Sequence, residues 1–143
     1  MKHILAILSL LRLQNLSIGV FAVLVSFYLL NTPFNTDVVM CMLIVFSSMS
    51  LGYIMNDFLD LKSDLINHPD RPLVQGAINN ITIILLSILF MLIIFFSSRE
   101  INLYAYNLLY ICILPSLILY NLFFKKTPFI GNLIISLLLG CVF

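Results

Sequence analysis

The chain of 143 residues is 62% hydrophobic and 9% charged, with a mean hydropathy of +1.15, far from the half-apolar, quarter-charged balance of soluble domains. That composition predicts an integral membrane protein whose solvent is the lipid bilayer, and at about 20 residues per crossing it leaves room for one small helical bundle. A net charge of +1 carries no basic face of the kind nucleic-acid binders need, so nucleic acid is not an expected partner.

In chain order, Met1-Lys2-His3 and the apolar stretch Ile4 to Leu11 start like a signal peptide. No small-x-small cleavage site follows, and Arg12 interrupts the run; an uncleaved interfacial segment is the expectation. Apolar runs then fall at 13–30, 38–55, 81–98, 101–124 and 129–143, the first three of 18 residues each and the fourth of 24 with Pro115 inside it. Four are long enough to span. The fifth stops after 15 residues at Cys141-Val142-Phe143 without a polar flank, which reads as a helix cut short. The expected fold is therefore all-α: a polytopic transmembrane bundle of four full spans plus an incomplete fifth.

Cys41, Cys112 and Cys141 are an odd number set in apolar runs, so they predict neither disulfides nor a metal site and read as small buried hydrophobes. Lys2, Arg12, Lys62, Arg71, Lys125 and Lys126 fall on one side of the membrane and only Arg99 on the other. By the positive-inside rule this puts the N-terminus and the second and fourth loops in the cytoplasm, for a multi-pass protein of the cell's inner membrane.

The loop from Asn56 to Asn80 is the only one long enough for structure of its own, and it holds Asp57, Asp60, Asp64 and Asp70, four of the six acidic residues. Asp57, Asp60 and Asp64 stand at i, i+3 and i+7, which on a helix aligns three carboxylates on one face. Like charges at that spacing repel, so a cation should compensate them. Hard oxygen ligands without nearby His or Cys favour Mg²⁺, commonly held by carboxylates together with substrate phosphates. The spacing alone is served equally well by a solvated acidic loop.

The wider pattern discriminates. Asn56-Asp57-x-x-Asp60-x-x-x-Asp64, followed by Arg71-Pro72-Leu73, resembles the first aspartate-rich motif of the UbiA superfamily of intramembrane prenyltransferases. Tyr120, Lys125, Lys126, Pro128, Gly131 and Asn132 look like that family's stretch between its fourth and fifth helices, and Arg12 and Asn15 resemble its usual pair at the entry to the first. The resemblance covers residues 1–143 in order as the N-terminal half of such a domain.

It implies Mg²⁺-dependent transfer of an isoprenyl group from its diphosphate to an aromatic or glycerophosphate acceptor. Asp57, Asp60 and Asp64 would be the metal ligands and, with Arg71, the catalytic set. Asn15, Asn56, Lys125 and Lys126 would bind substrate. For the two lysines, topology alone is the competing explanation. His68, beside Pro69, reads as a turn residue.

The family fold has a second aspartate motif, whereas after Asp70 this sequence has only Glu100. The expectation is thus a fragment or a truncated gene product that lacks a C-terminal half and is inactive alone. A non-catalytic membrane binding or assembly subunit is the competing class. A small transporter is disfavoured by spans with few polar residues.

Overall fold

The computed structural model describes residues 2–141, which form helices and turns without a strand among them. Helix α1 (Lys2–Leu10) meets α2 (Leu13–Leu29) at a bend of 53°. Arg12 makes the joint, with φ 52° and ψ 57°, a left-handed conformation that costs a non-glycine residue about 1–3 kcal/mol. The neighbouring Leu10 and Leu11 are buried and anchor the bend from inside.

Helix α3 (Thr36–Leu59) opens at Asn35, whose side chain accepts the Val38 N–H, and carries Asp37 in its first turn, both favourable at a helix N-terminus. A short α4 (Leu61–Asn67) follows. Asn79 and Asn102 cap α5 (Asn80–Ser97) and α6 (Leu103–Asn107) in the same way. The next six residues, Leu108–Ile113, form a π-helical segment before α7 (Leu114–Leu122). Pro115 lacks the N–H that an α-helical ladder would use, and wider π turns absorb such a gap. A 3₁₀ turn (Phe124–Lys126) leads into α8 (Pro128–Gly140).

Among the described residues three helical stretches are long and apolar enough to cross a membrane, Thr36–Leu59, Asn80–Ser97 and Leu103–Leu122, and a fourth is complete if α1 and α2 count as one bent span. The expected first span at 13–30 needs α1 to complete it, since α2 alone has 17 residues, about 26 Å at 1.5 Å per residue. The fifth run gives the 13-residue α8, and its expected end at Val142 and Phe143 lies outside the described residues.

Helix α3 is the hub, packed against α2, α5 and α7. Small residues bring the backbones close: a Cβ on Gly19 would lie 2.4 Å from Met49 Sδ, and one on Gly52 would lie 3.0 Å from Leu117, the close approach on which membrane helices rely. One core cluster (Leu10, Leu11, Leu16, Ile54, Ile78, Ile83, Phe90) gathers at the end where α3 finishes, and a smaller one (Ile44, Ile94, Leu109) lies toward the other. Cys112 and Cys141 are exposed and Cys41 is half-buried, so the cysteines do not form part of the core as expected. They sit among outward-facing apolar side chains such as Ile111 and Leu137.

Candidate functional site at one end of the bundle

Twenty-four residues make α3 about 36 Å long, enough to carry its last turn to the edge of a hydrocarbon layer of about 30 Å. Asp57 is in that turn and only 4% exposed. At Asp60 (φ −88°, ψ 1°) the backbone leaves the α3 axis. The hydrogen-bond ladder survives the break: the Asp60 N–H donates to the Asn56 carbonyl at 3.0 Å and the Asp64 N–H to the Asp60 carbonyl at 2.8 Å. The single-helix face expected for the three carboxylates is therefore interrupted at its middle member, and the side chains part company there.

Asp57 and Asp64, both 4% exposed, converge on Arg71. A single guanidinium nitrogen, Nη1, donates to Asp57 Oδ1 at 3.3 Å and to Asp64 Oδ2. Arg12 Nη2 reaches the same Asp57 oxygen at 2.8 Å, with its guanidinium 5.0 Å from the centroid of the Tyr53 ring. The Asn56 amide lies 3.4 Å from that oxygen. Asp60 turns the other way, and Lys125 Nζ donates to its Oδ1 at 2.5 Å across 65 residues of sequence. Three carboxylates thus meet three cations drawn from the α1–α2 joint, the loop after α4 and the 3₁₀ turn.

Local structure explains each placement. Arg71 is fixed by turns in which the Arg71 N–H donates to the His68 carbonyl and the Gln75 N–H to the Arg71 carbonyl. Gly76, at φ +65°, then reverses the chain so that Ile78 enters the core beside Ile83. Lys125 is held by close approach: a Cβ on Gly131 would lie 2.8 Å from the Phe124 carbonyl oxygen, so α8 backs directly onto the turn.

The sequence pattern called for a cation against the carboxylates, and here Arg12, Arg71 and Lys125 supply the charge. Among the described residues no three His, Cys, Asp or Glu side chains are grouped closely enough to hold a metal ion. Asp57 and Asp64 nevertheless direct two oxygens at one point, and the occupant of that point is a positively charged nitrogen. A pair of hard carboxylate oxygens is a donor set that suits a divalent cation of the Mg²⁺ type in place of that nitrogen.

Other predicted residues stand apart. Lys126 is exposed and pairs with none of these carboxylates. Asn15 is exposed and lines, with Ser9, Arg12 and Gln14, a hollow of about 500 Å³ in the crook of α1 and α2. His68 and Asp70 are exposed. Sequence reasoning missed the Arg12–Asp57 pair and the Tyr53 ring beneath it. The signal was present in a lone arginine between two apolar runs, which must find an anion or water.

Beside the cluster an apolar groove of about 880 Å³ opens between α3, α5 and α7, lined by residues including Met55, Phe58, Ile84, Leu92, Leu117 and Ile118. It follows α5 from Asn80 to Phe95, about 22 Å along the axis.

Fold and site together define an all-helical membrane bundle with a charge-balanced polar end and an apolar groove leading away from it. Residues 6–143 match the model of the UbiA prenyltransferase family, and the chain belongs to that family. It is 36% identical over 115 residues to a digeranylgeranylglyceryl phosphate synthase of Thermococcus sibiricus, covering 76% of this chain and 38% of that protein. A synthase of the same name from Methanococcus maripaludis (strain C7) is 32% identical over 145 residues, covering 96% of this chain and 50% of the relative. A solved structure described as giving structural and mechanistic insights into digeranylgeranylglyceryl phosphate synthase superposes with a TM-score of 0.89 at 28% identity, over 99% of this chain and 51% of the other. The chain spans about half or less of the length of these relatives.

Proposed function

We propose that the polar end binds the diphosphate of an isoprenyl donor with Mg²⁺, in a protein that transfers the isoprenyl group to a glycerophosphate acceptor. The observation that carries the reading is the cluster itself: Asp57 and Asp64 converging beside Arg71, with Asp60 and Lys125 opposite, at the head of a 22 Å groove that suits a polyprenyl chain. Relatives named for a glyceryl phosphate product favour a glycerophosphate acceptor over an aromatic one.

When bound, Mg²⁺ supplies charge neutralisation of the leaving diphosphate. Asp57 and Asp64 would hold it where their oxygens converge, with the Asn56 amide beside them, and Asp60 would have to leave Lys125 to join them. Arg71 offers a planar fork of donors to diphosphate oxygens and Lys125 a point charge, so both oppose the charge that develops as the allylic C–O bond breaks. The bond to the acceptor oxygen forms in its place. Met55, Phe58, Leu117 and their neighbours would enclose the chain and keep water from the electron-poor carbon. Asn15 and Lys126, at the margin, are candidates for the acceptor's phosphate.

The Lys and Arg bias orients this end toward the cytoplasm of a cell whose inner membrane carries the protein, with the bent α1–α2 pair and α8 as a first and a fifth membrane segment. The 143-residue protein with geranylgeranyl diphosphate and glycerophosphate acceptors gives the test of turnover: diphosphate release abolished by Asp60→Ala establishes the enzyme, and donor binding without release points to a protein that binds the diphosphate without turning it over.

Binding of the donor should be lost in chelator and in the double variant Asp57→Ala, Asp60→Ala. Unchanged affinity under both conditions leaves the metal-bridged reading without support. A cysteine placed at Ser63 should react only with reagents on the cytoplasmic side, and labelling from outside reverses the orientation.

A further inference from the structure

We propose that Arg71 and Lys125 are exchangeable counterions, neutralising the carboxylates in the free protein and passing to the diphosphate when a divalent cation takes their place. This rests on the diphosphate-binding reading above and adds to it a rule of order: neither metal nor diphosphate binds well without the other.

The burial of Asp57 and Asp64 makes an uncompensated state costly, so in the free protein their charges need partners. Arg71 Nη1 occupies the one point at which an oxygen of each carboxylate is directed. A divalent ion that ligates both oxygens must displace that nitrogen, because two positive centres cannot share the position. Metal arriving alone would therefore strand a guanidinium without an anion, and at Asp60 the same holds for the Lys125 ammonium. Diphosphate arriving alone would find its cations already spent on carboxylates. Arriving together, the two ligands satisfy every charge in the set.

Arg71 and Lys125 are built for such a transfer. One lies on the loop after α4, its backbone held by turns while its side chain reaches two carboxylates, and the other ends a four-carbon stem on a 3₁₀ turn. Arg12 is built against it. Its backbone is held at a left-handed joint, and its guanidinium is fixed between Asp57 and the Tyr53 ring. It is a positioning residue, the fixed cation that keeps Asp57 partly compensated while Arg71 moves.

The consequence has opposite signs for the two ligands, which a merely structural role would not produce. The full chain, in lipid nanodiscs, is titrated with Mn²⁺ alone, inorganic diphosphate alone, and both, with the metal followed by electron paramagnetic resonance. In wild type each ligand should tighten the other by about tenfold or more, a coupling within the usual range for linked sites. Arg71→Met and Lys125→Met should each bind Mn²⁺ alone about fivefold or more tightly than wild type, yet bind the Mn²⁺–diphosphate pair more weakly. Each variant decides for its own cation, and if Arg71→Met does not fold, the neutral Arg71→Gln, which can still hydrogen-bond the two carboxylates, takes its place. Mn²⁺ affinity unchanged or weakened in the variants, with joint binding intact in wild type, overturns the exchange alone. No binding of either ligand by wild type, singly or together, overturns the diphosphate reading and the exchange with it.

Discussion

The two ends of the bundle handle charge in opposite ways. At one end, carboxylates buried to 4% exposure meet cations from distant parts of the sequence. At the other, Arg99 and Glu100 lie exposed in a tight turn, with Arg99 4.5 Å from the centroid of Phe95. There the polar contact that holds structure is uncharged, between Ser98 Oγ and the Tyr110 hydroxyl at 3.0 Å. An exposed charge in a membrane protein needs only water and an apolar surface to rest on. A buried one needs a partner of opposite sign, and that partner ties together segments that would otherwise have no reason to meet.

The contrast can be broken most forcefully at Arg71. Arg71→Met removes the cation shared by two buried carboxylates and should destabilise the bundle by about 3–5 kcal/mol, read from unfolding in mixed micelles. The matching change at the opposite end, Arg99→Met, should cost no more than about 1 kcal/mol. Equal losses would mean that the polar cluster is solvated and holds nothing together.

A smaller effect is expected at Gly131, where the added methyl of Gly131→Ala meets a backbone oxygen that cannot swing aside. Destabilisation of about 1–3 kcal/mol, as for other overpacked sites, should come with a weakened Lys125–Asp60 pair, visible as greater accessibility of a probe at position 125. Ser98→Ala, which strands the Tyr110 hydroxyl, should lose about 0.5–1.5 kcal/mol. Smallest of all, Lys126→Met should stay within about 0.5 kcal/mol of wild type, which separates the two adjacent lysines.

How much of this could be read from the residues alone depended on the range of the interaction. Hydrophobic runs are local, so α3 and α5 were legible to within a few residues of their ends. The aspartate spacing and Arg71 are semi-local and marked the site. The reading of one helical face failed at Asp60, whose side chain pairs with Lys125, 65 residues away, a contact that spacing along one helix cannot show. Lys125 and Lys126 could not be told apart, since the choice depends on which way a 3₁₀ turn faces after α7 and on α8 pressing against it through Gly131. Charge compensation from within the chain was not read, because Arg12 was placed only at the entry to the first span. Its pairing with Asp57 required knowing that the α1–α2 joint folds onto the end of α3.

The approach of Leu117 to Gly52, followed eight positions later on both helices by the pairing of Lys125 with Asp60, makes α3 and α7 a pair of matched gears. The location of an ammonium group at the membrane edge is set by rotational phase, counted from a contact among apolar side chains well below it. Each residue inserted between Leu117 and Leu122, where α7 is still α-helical, would turn the lysine by about 100° and raise it by about 1.5 Å. A one-residue insertion would disengage it although every polar residue of the cluster remained in the sequence, while an insertion of a whole turn would nearly restore its direction at the wrong height. Length in this segment is therefore as much a determinant of the charged cluster as the identity of its residues.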